Sequence, residues 1–144
     1  MATNTRVVQA TPERVWEVLS DGWNFPLWVV GASRMRDVDE DWPGAGSKLH
    51  HSAGIWPLLV DDTTEVLECR PGRMLRMRAR DWPAGEAKIT IRLTPQGGAT
   101  EVTIEENTVA GPARLIPNLV EDPLMKWRNT EALRRFAFLA ENRA

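Results

Sequence analysis

The sequence predicts an α+β fold: a curved seven-stranded antiparallel sheet around a long C-terminal helix, with two short helices after the first strand. Three observations carry this expectation. A strand-like run from 32 to 109 is punctuated by glycine- and proline-containing turns. A helix-start signal, Thr11-Pro12, follows a first strand-like segment, and the chain ends on one long amphipathic stretch. One helix cannot cover seven flat strands, so the sheet must curl around it and leave the space between them partly open.

The first strand falls on "TNTRVVQA", residues 3 to 10. In "TPERVWEVLS" Thr11 is the N-cap and Pro12 the first helical residue, and Val15, Val18 and Leu19 form an apolar face. "DGWNFPLWVVGA" stops that helix at Gly22 and adds a second short one around Pro26. Six strands are expected near 32–39, 47–54, 58–70, 73–81, 86–95 and 99–109, separated by "WPGAG", "GIWP", "RPGR", "DWPAGE" and "PQGG". Alternation is clearest late in this run. Leu75, Met77 and Ala79 share one face against Arg76, Arg78 and Arg80, and Ile89, Ile91 and Leu93 repeat the pattern, as do Val102 and Ile104. The arginine row reads as a wet face paired with acids such as Glu101 and Glu105 on neighbouring strands. Asp122-Pro123 repeats the start signal of Thr11-Pro12, so the main last helix is expected from Pro123 to about Asn142, with "IPNLVED" before it as a preceding turn or a kinked extension. At about 1.5 Å per residue it reaches about 30 Å. Met125, Asn129, Leu133, Phe136, Ala137 and Ala140 form its inward stripe.

Composition narrows the function. The 144 residues fit a single domain, 1–144, and a net charge of −2 gives no electrostatic footprint for nucleic acid. No apolar run approaches the roughly 20 residues that span a bilayer, and the first residues lack the apolar core of a signal peptide. With Cys69 as its one cysteine the chain forms no internal disulfide, which suits a reducing compartment and makes a cytoplasmic location the expectation. Seven tryptophans accompany no tyrosine, and three of them precede proline, at Trp42-Pro43, Trp56-Pro57 and Trp82-Pro83. Proline pushes the residue before it toward extended backbone, so each pair marks a strand end or a loop. Their indoles either cover the core at turns or stand at the mouth of a ligand pocket, offering apolar area and an N–H donor.

Both histidines stand together in "GSKLHHSAGIWPLLVDDT". Adjacent residues on a strand point to opposite faces, so His50 and His51 cannot readily chelate one metal, and no other histidine exists to complete a site. No metal and no cofactor is expected. If Leu49 and Ala53 face inward, His51 does too and His50 faces solvent. His51 is then either a core-edge imidazole satisfied by a carbonyl or carboxylate, or a polar group in an apolar cavity that orients a ligand or exchanges a proton. Glu106 continues the inward series of Val102 and Ile104, and Asn129 lies on the inward stripe of the last helix. A buried carboxylate needs a partner, for which His51, Arg128 and Asn129 are candidates. Trp28, Trp56, Met77, Trp82, Ile91 and Ile104 supply candidate walls. A Gly-x-Ser-x-Gly elbow, a phosphate-cradling loop and a dinucleotide fingerprint are all missing from the sequence.

The stretches "ATPERVWEVLSD", Trp28, "GSKLHHSAGIWPLLVDDTTEVLECRPGRMLRMRAR", "GATEVTIEEN" and "RNTEALRRFAFLAE" resemble the START-like (SRPBCC) superfamily, and in local wording its bacterial polyketide cyclase/dehydrase-like branch. The likeness covers nearly the whole chain. It implies a helix-grip fold and a cavity for an apolar molecule, while members bind or transform very different compounds. Two readings follow. In one, the protein binds a small hydrophobic or aromatic molecule, lipid- or polyketide-like, without chemistry. In the other, it is a polyketide cyclase/dehydratase in which His51 and Glu106 perform acid/base catalysis. Either way the expected partner is a small apolar ligand, and the chain is a monomer or homodimer.

Overall fold

A computed structural model describes residues 2–29, 32–53, 60–81, 85–110 and 118–142. The elements are β1 (Ala2–Val8), α1 (Pro12–Ser20), a 3-10 turn (Gly22–Asn24), α2 (Phe25–Trp28), β2 (Ala32–Val38), β3 (Lys48–Ala53), β4 (Val60–Arg70), β5 (Met74–Asp81), β6 (Gly85–Gln96), β7 (Ala99–Ala110) and α3 (Asn118–Asn142). The strands form one antiparallel sheet in the order β1-β7-β6-β5-β4-β3-β2, a meander whose first strand returns to pair with the last. This is the helix-grip topology. Register shifts interrupt the β2/β3, β4/β5 and β6/β7 ladders, and such bulges bend and twist a sheet.

The first helix starts as its sequence dictates. Thr11 Oγ1 accepts from the Arg14 amide at 3.2 Å, Pro12 occupies the first turn, and Val15, Val18 and Leu19 are buried. Asp21 then accepts from the Trp23 amide at 3.2 Å and turns the chain into the 3-10 segment. Gly22 sits where a side chain does not fit: a Cβ there would lie 2.5 Å from Leu49 Cδ2 and 3.0 Å from Val38 Cγ1.

The last helix begins earlier than the Asp122-Pro123 signal suggests. α3 starts at Asn118, with Pro123 inside it. As the sixth residue of the helix, Pro123 lies past the four amides that lack an intrahelical acceptor, so it forfeits a bond to the carbonyl four residues back and its ring crowds that carbonyl. Asp122 is therefore a helical residue and not a cap. α3 runs alongside β1. Asn4 Nδ2 donates to the Lys126 carbonyl at 3.0 Å and to Thr130 Oγ1 at 2.9 Å, and the Gln9 amide donates to Glu141 at 2.7 Å. Arg14 of α1 reaches the carbonyls of Leu139 and Ala140 at 3.4 Å each, close to the negative end of the helix. On its other flank α3 packs on α2.

The core fills the space between α1, the far half of α3 and the sheet. Val8, Val15, Leu75, Val102, Phe136 and Ala137 there are at most 2% exposed. On the opposite, convex face Arg76 bonds Glu68 at 3.1 Å, Arg78 bonds Glu86 at 2.6 Å and Arg92 meets Glu105 at 3.4 Å. Arg76, Arg78 and Arg92 are thus neutralised across strands on this face, while the side chain of Arg80 lies outside the described residues. Glu101 departs from the expected pairing, accepting from the Gln96 amide at 3.0 Å instead of from an arginine.

Candidate functional site

The concave face changes character along its length. Toward α1, Leu75, Ile91, Leu93 and Val102 are packed tight. One pair further toward the opposite end stand Met77 and its cross-strand partner Ile89, and Ile89 pairs in turn with Glu106. Beyond them lies a row of small side chains on three neighbouring strands, Thr64, Ala79 and Ala87. Strand alternation turns Ala79 and Ile89 toward the helix, in the middle of the sheet, yet both keep partial exposure. These small side chains lie under a helix that runs close to β1, at the sheet edge.

His51 borders this region. It is 5% exposed and pairs with Asp62 in the ladder, while its Nε2 shares a 2.9 Å hydrogen bond with Thr64 Oγ1 on β4. One face of its ring stacks on Phe25, with centroids 5.4 Å and planes 28° apart. Phe25 meets the edge of Trp28 at 5.7 Å, and Trp28 meets Phe136 of α3 at 5.2 Å. A line of four rings therefore joins β3 to α3 through α2. His50 points the other way, and its Nε2 bonds Asp39 at 2.9 Å. That bond holds the Asp39 carboxyl below its usual range. Among the described residues no cluster of three or more His, Cys, Asp or Glu side chains is arranged to hold a metal.

Glu106 is 4% exposed, and its two oxygens are taken by α3: Arg128 Nη2 donates to Oε2 and Asn129 Nδ2 donates to Oε1 at 3.1 Å. Of the three candidate partners, α3 supplies two. His51 belongs to a different cross-strand row on β3, four strands away in the sheet order. Along the sheet surface that is about 19 Å. The structure thus brings Glu106 together with Asn129 and Arg128, and His51 together with Thr64 and Phe25. It does not set His51 and Glu106 side by side as a dyad. Trp28, Met77, Ile91 and Ile104 are all buried in the core, at 2–5% exposure. Trp56 and Trp82 lie outside the described residues, as does the side chain of Met125.

Three contributors escape a reading by periodicity. Phe25 belongs to a four-residue helix too short to show a stripe, Thr64 is a polar residue on an apolar face, and Ala87 pairs with an Ala79 that alternation turns inward without marking its small size.

Matching the sequence to known families settles the kinship, because the sequence model described as "Polyketide cyclase / dehydrase and lipid transport" matches residues 2–141. The chain belongs to the polyketide cyclase / dehydrase and lipid transport family. Solved structures agree at the level of fold. A Rhodobacter sphaeroides protein is 23% identical, with 99% of this chain and 93% of that one aligned at a TM-score of 0.73. A protein from Chromobacterium violaceum is 22% identical over 98% and 97% of the two chains, with a TM-score of 0.70. DynU16, from the dynemicin biosynthetic locus, is 21% identical with a TM-score of 0.65, and the match spans 98% of this chain but 47% of that one. None of the curated proteins matches the sequence. Membership of this family, within the SRPBCC superfamily, supports a cavity for a hydrophobic ligand between sheet and helix. Among the described residues no helix is long and apolar enough to cross a membrane.

Proposed function

We propose that this protein binds a small hydrophobic or aromatic molecule, lipid- or polyketide-like, between the concave sheet and α3. The observation that carries the reading is the partial exposure of Ala79 and Ile89 on the inward face of central strands, where a filled core would bury them. The family description, which joins cyclases and dehydrases to lipid transport, supports the same class of ligand. Apolar surface at Ala79 and Ile89 would take the body of the molecule. His51, fixed by Thr64 and Phe25, would orient a ligand oxygen at one end.

Binding is favoured over acid/base catalysis because Glu106 is engaged by two α3 side chains and stands in a different row from His51. A general acid and base acting as a pair must both reach the reacting group within a hydrogen bond or one water. The decisive experiment enlarges the row of small residues. Ala79→Phe should abolish the indole fluorescence change produced by an apolar probe such as 1-anilinonaphthalene-8-sulfonate while the fold, followed by far-UV circular dichroism, survives. Undiminished probe binding by a folded Ala79→Phe variant would overturn the proposed location. Turnover of a poly-β-ketone thioester by the wild type, lost on His51→Ala, would establish the enzymatic reading instead.

A further inference from the structure

The outward ridge of α3 carries the two most exposed large apolar side chains among the described residues, Trp127 at 69% and Phe138 at 66%. At 100° per residue they fall about 20° apart, on the side of the helix opposite the buried Asn129, Leu133 and Phe136. Between them on the same ridge stand Glu131 and Arg134. The spacing 127, 131, 134, 138 runs in steps of four, three and four, the seam spacing of packed helices.

This ridge is self-complementary. Reversed about the midpoint between Ala132 and Leu133, it sets Trp127 opposite Phe138 and Glu131 opposite Arg134. A two-fold axis there pairs aromatic with aromatic and acid with base, twice each, as an isologous interface demands. Within one chain Glu131 accepts from Arg134 at 2.6 Å and from Arg135 at 3.0 Å, so Arg135 can hold the carboxylate while Arg134 reaches across. We propose that α3 pairs antiparallel with α3 of a second copy of this chain, Trp127 packing on the partner's Phe138 and Glu131 meeting the partner's Arg134.

Charge exchange tests the pairing independently of any ligand. Sedimentation velocity of the full chain from about 1 µM to about 1 mM should reveal a monomer–dimer equilibrium. Phe138→Glu should weaken it at least tenfold, and its exposed position should leave the thermal melt of the monomer nearly unchanged. Glu131→Arg alone sets arginine against arginine at both ends of the seam, and Arg134→Glu alone sets glutamate against glutamate, so each should be monomeric. An equimolar mixture of these two variants should dimerise again, which a contact confined to one chain would not produce. A wild type that stays monomeric throughout, or a mixture that stays monomeric, overturns the proposal. So does a shift of tryptophan emission on anionic phospholipid vesicles with the chain still monomeric, which would make the ridge a membrane face.

Discussion

The imidazole of His51 lies against the ring of Phe25, 5.4 Å between centroids, while its Nε2 is bonded to Thr64 at 2.9 Å. Two neighbours on different elements thus fix both the plane of the ring and its rotation within that plane. A group held in this way loses little freedom when a ligand meets it. If His51 donates one orienting hydrogen bond, His51→Ala should cost about 0.5–1.5 kcal/mol, a threefold to tenfold loss of probe affinity by fluorescence titration. His50→Ala should leave that affinity unchanged, because His50 faces away and bonds Asp39. Equal losses from both variants would contradict the alternation of β3.

Glu106 and Arg128 fasten the strand to the helix, so their first effect should be on stability. Removing one member of a buried pair leaves a charge poorly compensated, at about 3–5 kcal/mol for a fully buried case. Arg128 is 32% exposed, so water relieves part of that cost. Arg128→Ala should therefore lower unfolding free energy by about 2 kcal/mol in urea. Glu106→Gln, which can keep the Asn129 contact, should cost less. A large drop in affinity with unchanged stability would make Glu106 part of the ligand site.

Gly22→Ala should destabilise the fold. Its new methyl would stand 2.5 Å from Leu49 Cδ2, so the fully buried Leu49 side chain would have to shift. Overpacking of this kind costs about 1–3 kcal/mol, enough to read as a lower melting temperature by calorimetry. An unchanged melt would mean that the 3-10 turn can shift as a unit.

Acid should expose the Glu131 cluster. Hydrogen bonds from Arg134 and then Arg135 hold its carboxyl at about 2, against an ordinary 4.5. The folded value lies below the unfolded one, so the contribution is complete above pH 4.5 and is lost as pH falls toward about 2. The stability difference between wild type and Glu131→Gln, measured on the monomer, should shrink across that window. A carboxyl resonance of Glu131 titrating near 4.5 would show that the arginines do not hold it.

Much of this architecture is legible in the sequence because it is written in local signals. Thr11-Pro12 starts α1, the glycine and proline clusters separate the strands, and alternation from Leu75 to Ile104 assigns the concave face. The same alternation places His51 inward and Glu106 under the helix. The start of α3 is legible only as two alternatives, a turn or a kinked extension before Pro123, because Asp122-Pro123 imitates a cap and a local motif carries no record of the helical turn that precedes it. Phe25 behind His51 is invisible for a different reason. The two are 26 positions apart in sequence and meet only when α2 folds against β3.

The return of β1 to the edge of β7 has a consequence for how the chain reaches its native state. Ala2 pairs with Glu106, and Gln9 bonds Glu141, so residues on the order of 100 positions apart must meet. The β2–β7 meander can assemble from neighbours while synthesis proceeds, but β1 has no place to dock until β7 has formed. At about 5–20 residues per second, the first strand waits several seconds beside an unpaired sheet edge. Closure of the grip is thus a late, long-range event, and β1 is the last strand of the sheet to find its partner.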